Sequence, residues 1–258
     1  MAMKVECFSD QLKVKVYDTR LEMGKAAGKD AAEKIRALLA KKDEVNIIFA
    51  AAPSQNEVLD ALVEEPDIDW GRINAFHMDE YLGLAADAPQ CFSNFLMEHI
   101  FSRVPFKQVF LIQPFSDAAS ECERYTKLLR QYPVDLVCLG IGENGHIAFN
   151  DPPADFDTKE AYIIVNLDDR CKQQQMGEGW FATIDDVPKQ AVSMTAYQIM
   201  ECKKIISCVP YKVKAEAIEN TIKAKEVTNL VPATLLKTHP DFILYVDEDS
   251  ASGILKEF

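Results

Sequence analysis

The sequence predicts an α/β protein with one mostly parallel sheet covered by helices on both faces, and three observations predict it. Short apolar runs rich in β-branched residues alternate with amphipathic stretches along almost the whole chain. No proline- or glycine-rich linker and no internal repeat interrupts that alternation. Turns of small residues or glycine follow several of the apolar runs, as at the carboxyl ends of strands in open α/β sheets. A length of 258 residues suits one large core, so a single domain over 1–258 is expected.

Residues 12–17 alternate apolar and polar side chains, the pattern of a half-buried strand. From 21 to 42, Leu21, Met23, Ala26, Ala27, Ala31, Ile35, Leu38 and Leu39 recur at helical spacing, and Ala, Lys and Glu favour helix. A short apolar strand is predicted at 45–50 and a helix at 57–63. A third strand spans 72–78 and runs into Asp79 and Glu80, which read either as solvated loop charges or as a catalytic base beside its support. A helix over 91–101, a strand over 108–112 and an amphipathic helix over 118–132 follow. The run 133–139 is a buried strand. Strands are predicted at 162–165, 191–194, 204–209 and 242–246, and a helix at 213–222. Residues 168–186, with Arg170, Lys172, three consecutive glutamines and two glycines, form the least regular stretch and suit a lid.

Composition narrows the function classes. Lys and Arg total 28 against 41 Asp and Glu, a formal net charge of -13, which repels nucleic acid and anionic membrane but leaves room for a local cationic pocket. The seven cysteines lack CxxC pairs and the Cys/His spacing of a zinc site, and most lie in apolar runs; they read as reduced, buried small hydrophobes. The N-terminal residues lack a charged leader with an apolar core, and no apolar run approaches spanning length. A soluble cytoplasmic protein without nucleic-acid or membrane partners is expected, and a homo-oligomer is compatible with the sequence.

Two turns carry the chemistry. The stretch Gly-Ile-Gly-Glu-Asn-Gly-His-Ile-Ala-Phe-Asn-Asp-Pro at 140–152 follows the strand at 133–139; its glycines allow a sharp turn and close approach to a ligand. It carries His146, able to move protons near neutral pH, and Asp151, able to orient it. The other, Ala-Ala-Ala-Pro-Ser-Gln-Asn at 50–56, presents Ala51, Ala52 and Ser54 before a helix, where backbone N–H groups can meet an anion. Ser54 would equally serve as a helix cap there.

The 140–152 string, with Phe-His-Met-Asp-Glu-Tyr-Leu-Gly at 76–83 and Val-Pro-Ala-Thr-Leu-Leu-Lys-Thr-His at 231–239, closely resembles the glucosamine-6-phosphate deaminase (isomerase) family. The resemblance implies a Rossmann-like fold of the sugar-phosphate isomerase type. It implies conversion of an amino-sugar 6-phosphate and water into a ketose 6-phosphate and ammonia, with no metal and no organic cofactor. Asp79 then matches the carboxylate that takes the C2 proton, and His146 the group that shuttles the proton in ring opening. Asn144 and Asp151 match the polar positions flanking that histidine, and Gly145 lies beside it. Lys214 falls at the family's phosphate-binding lysine, with an ordinary helix-face lysine as the other reading. Arg170 and Lys172 lie near its lid arginine.

The chain departs from the commoner pattern in three places. Many members have Asp at position 144 and Glu at 151, so ring opening is the step the substitutions touch. Pro53 in the phosphate turn has no N–H to offer. Residues 154–160 do not reproduce the Ser, Arg and Lys of the family's allosteric site, so activation by an N-acetylated sugar phosphate is not expected. The competing readings are a galactosamine-6-phosphate deaminase, a 6-phosphogluconolactonase and a non-catalytic sugar-phosphate sensor. The lactonase needs no enolisation base, and the sensor reading sits poorly with the presence of both Asp79 and His146.

Overall fold

The computed structural model describes residues 3–9, 12–114 and 117–255, with side chains from residue 12 onward, so the side chain of Cys7 lies outside the described residues. In chain order the strands are β1 (Met3–Ser9), β2 (Leu12–Tyr17), β3 (Val45–Phe49), β4 (Ile73–His77), β5 (Asp79–Tyr81), β6 (Gln108–Phe110), β7 (Leu136–Leu139), β8 (Tyr162–Asn166), β9 (Gln190–Met194), β10 (Ile205–Val209) and β11 (Phe242–Asp247). The α-helices are α1 (Arg20–Leu39), α2 (Asn56–Glu64), α3 (Phe92–Leu96), α4 (Ala118–Gln131), α5 (Asp169–Gly177), α6 (Ala196–Met200) and α7 (Ala215–Lys223).

The main sheet has the order β1-β2-β11-β10-β7-β3-β4-β6. All its neighbours are parallel except β1, which pairs antiparallel with β2 at one edge. Alternation along each strand divides the core in two. Val45, Ile47 and Phe49 of β3 join the cluster that contains Met23, Ala27, Ala31 and Ile35 of α1 and Val58, Leu59 and Leu62 of α2. Ile48 instead joins Cys122, Tyr125 and Leu129 of α4 and Ala217 and Ile218 of α7 on the other face. A parallel strand covered on both faces is mostly apolar, which is why β3 reads as an apolar run; its one polar residue, Asn46, is buried and donates its side-chain amide to the Pro133 carbonyl at 3.0 Å.

Two findings were not visible in the sequence. Residues 79–81 are a strand, not a loop, and with β8 and β9 they form a separate antiparallel sheet in the order β5-β9-β8. Residues 168–186 hold α5, capped by the Asp168 carboxylate, which accepts from the Cys171 N–H at 2.6 Å. The six described cysteines are free and buried. Among the described residues no helix is long and apolar enough to cross a membrane.

Candidate active site

The connections place the site. From β3 the chain crosses to β4 and then β6 on one side; from β7 it crosses to β10 and then β11 on the other. β3 and β7 are neighbours, so the connections diverge between them and leave a crevice at their carboxyl ends, the place where open α/β sheets bind ligands. An open cleft lies there. Ala51, Ala52 and Ser54 after β3, Asp79 after β4, Gly140, Gly142 and His146 after β7, and Lys214 after β10 all line it.

The loop after β7 is held from several directions. Gly142 N–H donates to the His146 carbonyl at 2.9 Å, and Gly145, at φ +85, donates its N–H to Gly142 at 3.0 Å. A Cβ on Gly142 would stand 2.2 Å from His146 Nε2, so only glycine leaves room for the ring. Asn150, which the sequence reading did not single out, ties the loop to β9: its amide donates to the carbonyls of Ile147 at 2.6 Å and Met194 at 2.8 Å. Ala148 takes φ 50, a strained choice for a residue with a Cβ, directly beside the cleft.

Asn144 and Asp151 stand behind His146 and do not line the cleft. The Asn144 oxygen accepts the His146 backbone N–H at 3.0 Å, while its amide donates to Asp151 Oδ1 at 3.0 Å. That same Oδ1 lies 3.0 Å from His146 Nδ1. The ring nitrogen is close to the carboxylate but not aligned on it, since Nδ1 makes no hydrogen bond of good geometry. Burial works to raise the Asp151 carboxyl, yet contact with His146 and the donors Asn144 and Asp168 leave it below its ordinary range.

Asp79 comes from β5, whose pairing with β9 sets it opposite Ser193. It is 7% exposed, and burial, reinforced by the neighbouring Glu80 charge, raises its carboxyl well above the usual range. Glu80 is fully buried and faces away into the amino end of α3, where it accepts the N–H groups of Tyr81 at 3.0 Å, Phe92 at 2.9 Å and Ser93 at 2.8 Å. Those donors favour its ionised form, while burial still holds its carboxyl above the ordinary value. His77, the last residue of β4, is also buried; its Nε2 accepts the Ile112 N–H at 2.7 Å, and burial pushes it down to about 3, so it is a neutral structural group. Glu80→Gln removes the like charge beside Asp79. The acidic limb of the kcat/KM profile is expected to move down by about one pH unit, and a limb that stays in place in a pH–rate series sinks this assignment.

The part of the cleft that holds the residues read from the sequence as phosphate-binding lies between the start of α2 and the turn before α7. Gly24 and Gly28 of α1 let α2 approach closely, since a Cβ at either would stand 2.3 Å from Glu57 Cβ or 2.7 Å from Ala61 Cβ. Ser54 is not the α2 cap; that place falls to Gln55, whose side chain makes no capping bond and instead donates to Ser54 Oγ at 3.1 Å and to the Cys208 carbonyl at 3.1 Å. Lys214 is 4% exposed, and burial lowers its ammonium pKa despite Glu178 and Glu143 nearby. Its Nζ is 3.8 Å from Glu178 Oε1. Arg170 is exposed on α5 and Lys172 lies 3.4 Å from Asp169; neither lines the cleft. The same helix and its C-cap instead bring Gln174, Gln175 and Glu178 to the cleft. Gln174 is fixed there by accepting the Glu143 N–H at 2.9 Å, and Gln175 by accepting the Tyr81 hydroxyl at 2.6 Å.

A buried carboxylate, an imidazole and a buried ammonium facing one crevice of an α/β sheet define an acid–base enzyme for a small anionic substrate. The family model described as glucosamine-6-phosphate isomerases/6-phosphogluconolactonase matches residues 18–244, and the chain belongs to that family. It is 38% identical over 230 residues to a glucosamine-6-phosphate deaminase of Streptococcus pneumoniae (strain Hungary19A-6), covering 89% of this chain and 95% of that one. It is 36% identical over 229 residues to the glucosamine-6-phosphate deaminase of Listeria monocytogenes serotype 4a (strain HCC23), covering 88% and 96%. Among solved structures, a monomeric glucosamine-6-phosphate deaminase matches with a TM-score of 0.84 at 26% identity, over 93% of this chain and 99% of that chain. The 6-phosphogluconolactonase of Thermotoga maritima shares the fold, with a TM-score of 0.74 at 18% identity over 91% and 98%.

Proposed function

We propose that this enzyme converts glucosamine 6-phosphate and water into fructose 6-phosphate and ammonia. The observation that carries the reading is the presence in one cleft of a raised, buried carboxylate, Asp79, and an imidazole, His146, backed by the Asp151 carboxylate at 3.0 Å. Ring opening needs a proton taken from the anomeric hydroxyl and one returned to the ring oxygen, which suits an imidazole that can do both near neutral pH. Enolisation needs removal of a proton from C2 of the opened aldose. A carboxylate held in an apolar wall is a stronger base than one in water and suits that step. Moving that proton to C1 leaves a C2 imine, which water hydrolyses to the ketone and ammonia. Asn144 and Asp151 position His146 and do not touch the substrate. A substrate of this kind places the activity in the cytoplasm, where sugar phosphates are held.

The 6-phosphate is assigned to Lys214 and the backbone around Ala52 and Ser54, with Glu178 releasing the ammonium as the phosphate arrives. Lys214→Met keeps the length of the side chain and removes the charge. It is expected to cost about 2–5 kcal/mol in kcat/KM, the range for unpairing a buried charged contact, and to do so mainly through KM. An unchanged KM in steady-state assays excludes Lys214 from the phosphate site.

The deciding assay follows ammonia and ketose phosphate together, from glucosamine 6-phosphate and galactosamine 6-phosphate side by side. Equal amounts of both products from the first substrate are expected. Hydrolysis of 6-phosphogluconolactone without ammonia release from either amino sugar overturns the reading.

A further inference from the structure

On the Nδ1 side of His146, the loop after β7 and the first turn of α5 bring together three groups that bind thiophilic cations. His146, Asp151 and Cys171 each offer one ligand atom, and these atoms lie within 4.8 Å of one another. His146 is 8% exposed and Cys171 1%. The Nδ1 nitrogen has no hydrogen-bond partner although it is buried, and it faces the Asp151 carboxylate. Nothing in the local spacing announces the set, because Cys171 reaches the pair only through the packing of α5 under the cleft.

We propose that His146, Asp151 and Cys171 form a binding site for a divalent cation of the zinc class, and that occupancy inhibits the enzyme. A carboxylate, a thiolate and a neutral imidazole are each zinc donors, and the two negative charges of this set balance the cation in a buried place. With Zn–N of about 2.0–2.1 Å and Zn–S of about 2.3 Å, ligand atoms in a tetrahedral site stand roughly 3.3–3.8 Å apart, so side-chain rotations of about 1 Å complete the set. The fourth position is left to water.

The step balances simply. The cation displaces the Cys171 thiol proton to solvent, forms a bond to sulfur, and takes the Nδ1 lone pair of neutral His146. The ring proton then stays on Nε2, the nitrogen nearest Gly142 and the cleft, so Nε2 can no longer accept a proton from a substrate hydroxyl. The role assigned to His146 in inhibition rests on the deaminase reading; the binding site itself does not.

The test therefore begins without substrate. Cadmium ion is titrated into the intact protein while the ultraviolet charge-transfer band of the cadmium–thiolate bond and proton release are followed. The wild type is expected to saturate at one cation with one proton released. Cys171→Ser and Cys171→Ala are expected to weaken binding by roughly 100-fold or more, beyond the 10–100-fold that loss of an outer partner costs. In the activity assay, Zn²⁺ is expected to inhibit the wild type reversibly with chelator, and the inhibition midpoint to rise by the same factor in both variants. A charge-transfer band or zinc sensitivity that survives in both Cys171 variants overturns the site. A wild type that binds cadmium at Cys171 yet keeps full activity under saturating Zn²⁺ overturns the inhibition.

Discussion

Asp79→Asn is expected to lower kcat by roughly 10²–10⁴-fold, the scale of a positioned general base, and at the same time to raise the thermal midpoint at neutral pH. The two effects have one cause. Burial, then the Glu80 charge, hold the Asp79 carboxyl well above its ordinary range. A carboxyl whose pKa is raised on folding contributes full stability below its unfolded pKa, and that contribution is lost as pH rises through the folded pKa. At neutral pH the wild type therefore carries the cost of a desolvated group that tends toward its charged form. Asn keeps the shape and cannot ionise, so the cost disappears along with the base. Thermal unfolding from pH 4 to pH 8 should show the variant's advantage growing with pH and vanishing at the acid end. Loss of activity without that pH-dependent gain would mean that Asp79 is not the strained, basic group described here.

The sequence made much of this cleft legible because its parts sit where short-range rules apply. Apolar runs ending in glycine or small residues announced β3 and β7 and the turns that carry Ser54 and His146. What it hid depends on contacts distant in sequence. That Asp79 and Glu80 lie in a strand stayed hidden, because β5 is three residues long and its partner β9 lies more than a hundred residues later. The α5 helix was invisible to periodicity: of its nine residues, the buried ones are Cys171, Gln174 and Gln175, so no apolar stripe marks its inner face. The start signal was nonetheless present in Asp168, three residues before the N–H it caps. Reading that cap would have turned the glutamine run inward and brought Gln174, Gln175 and Glu178 to the cleft ahead of Arg170 and Lys172.

His146→Gln is expected to produce a loss of similar size, roughly 10²–10⁴-fold, but with a different kinetic signature from Asp79→Asn. Glutamine fits the space beside Gly142 yet cannot accept a proton at neutral pH, so the variant must draw on the small open-chain fraction of substrate already in solution. Its rate should stop rising with enzyme concentration once spontaneous ring opening limits supply, and the isotope effect from deuterium at C2 should fall toward unity. Enolisation by Asp79 is untouched and waits on substrate. In Asp79→Asn the isotope effect should persist, since C2–H cleavage is then the slow step. The geometry gives a reason to expect this separation despite the altered motif. Asn144 supplies the hydrogen bonds that fix both the His146 backbone and Asp151, and Asp151 alone supplies the charge, 3.0 Å from Nδ1. One carboxylate suffices to stabilise an imidazolium, and a second within about 3 Å would raise the pKa of one of the pair. A full C2 isotope effect in His146→Gln would place His146 in enolisation and dissolve the division of labour between the two residues.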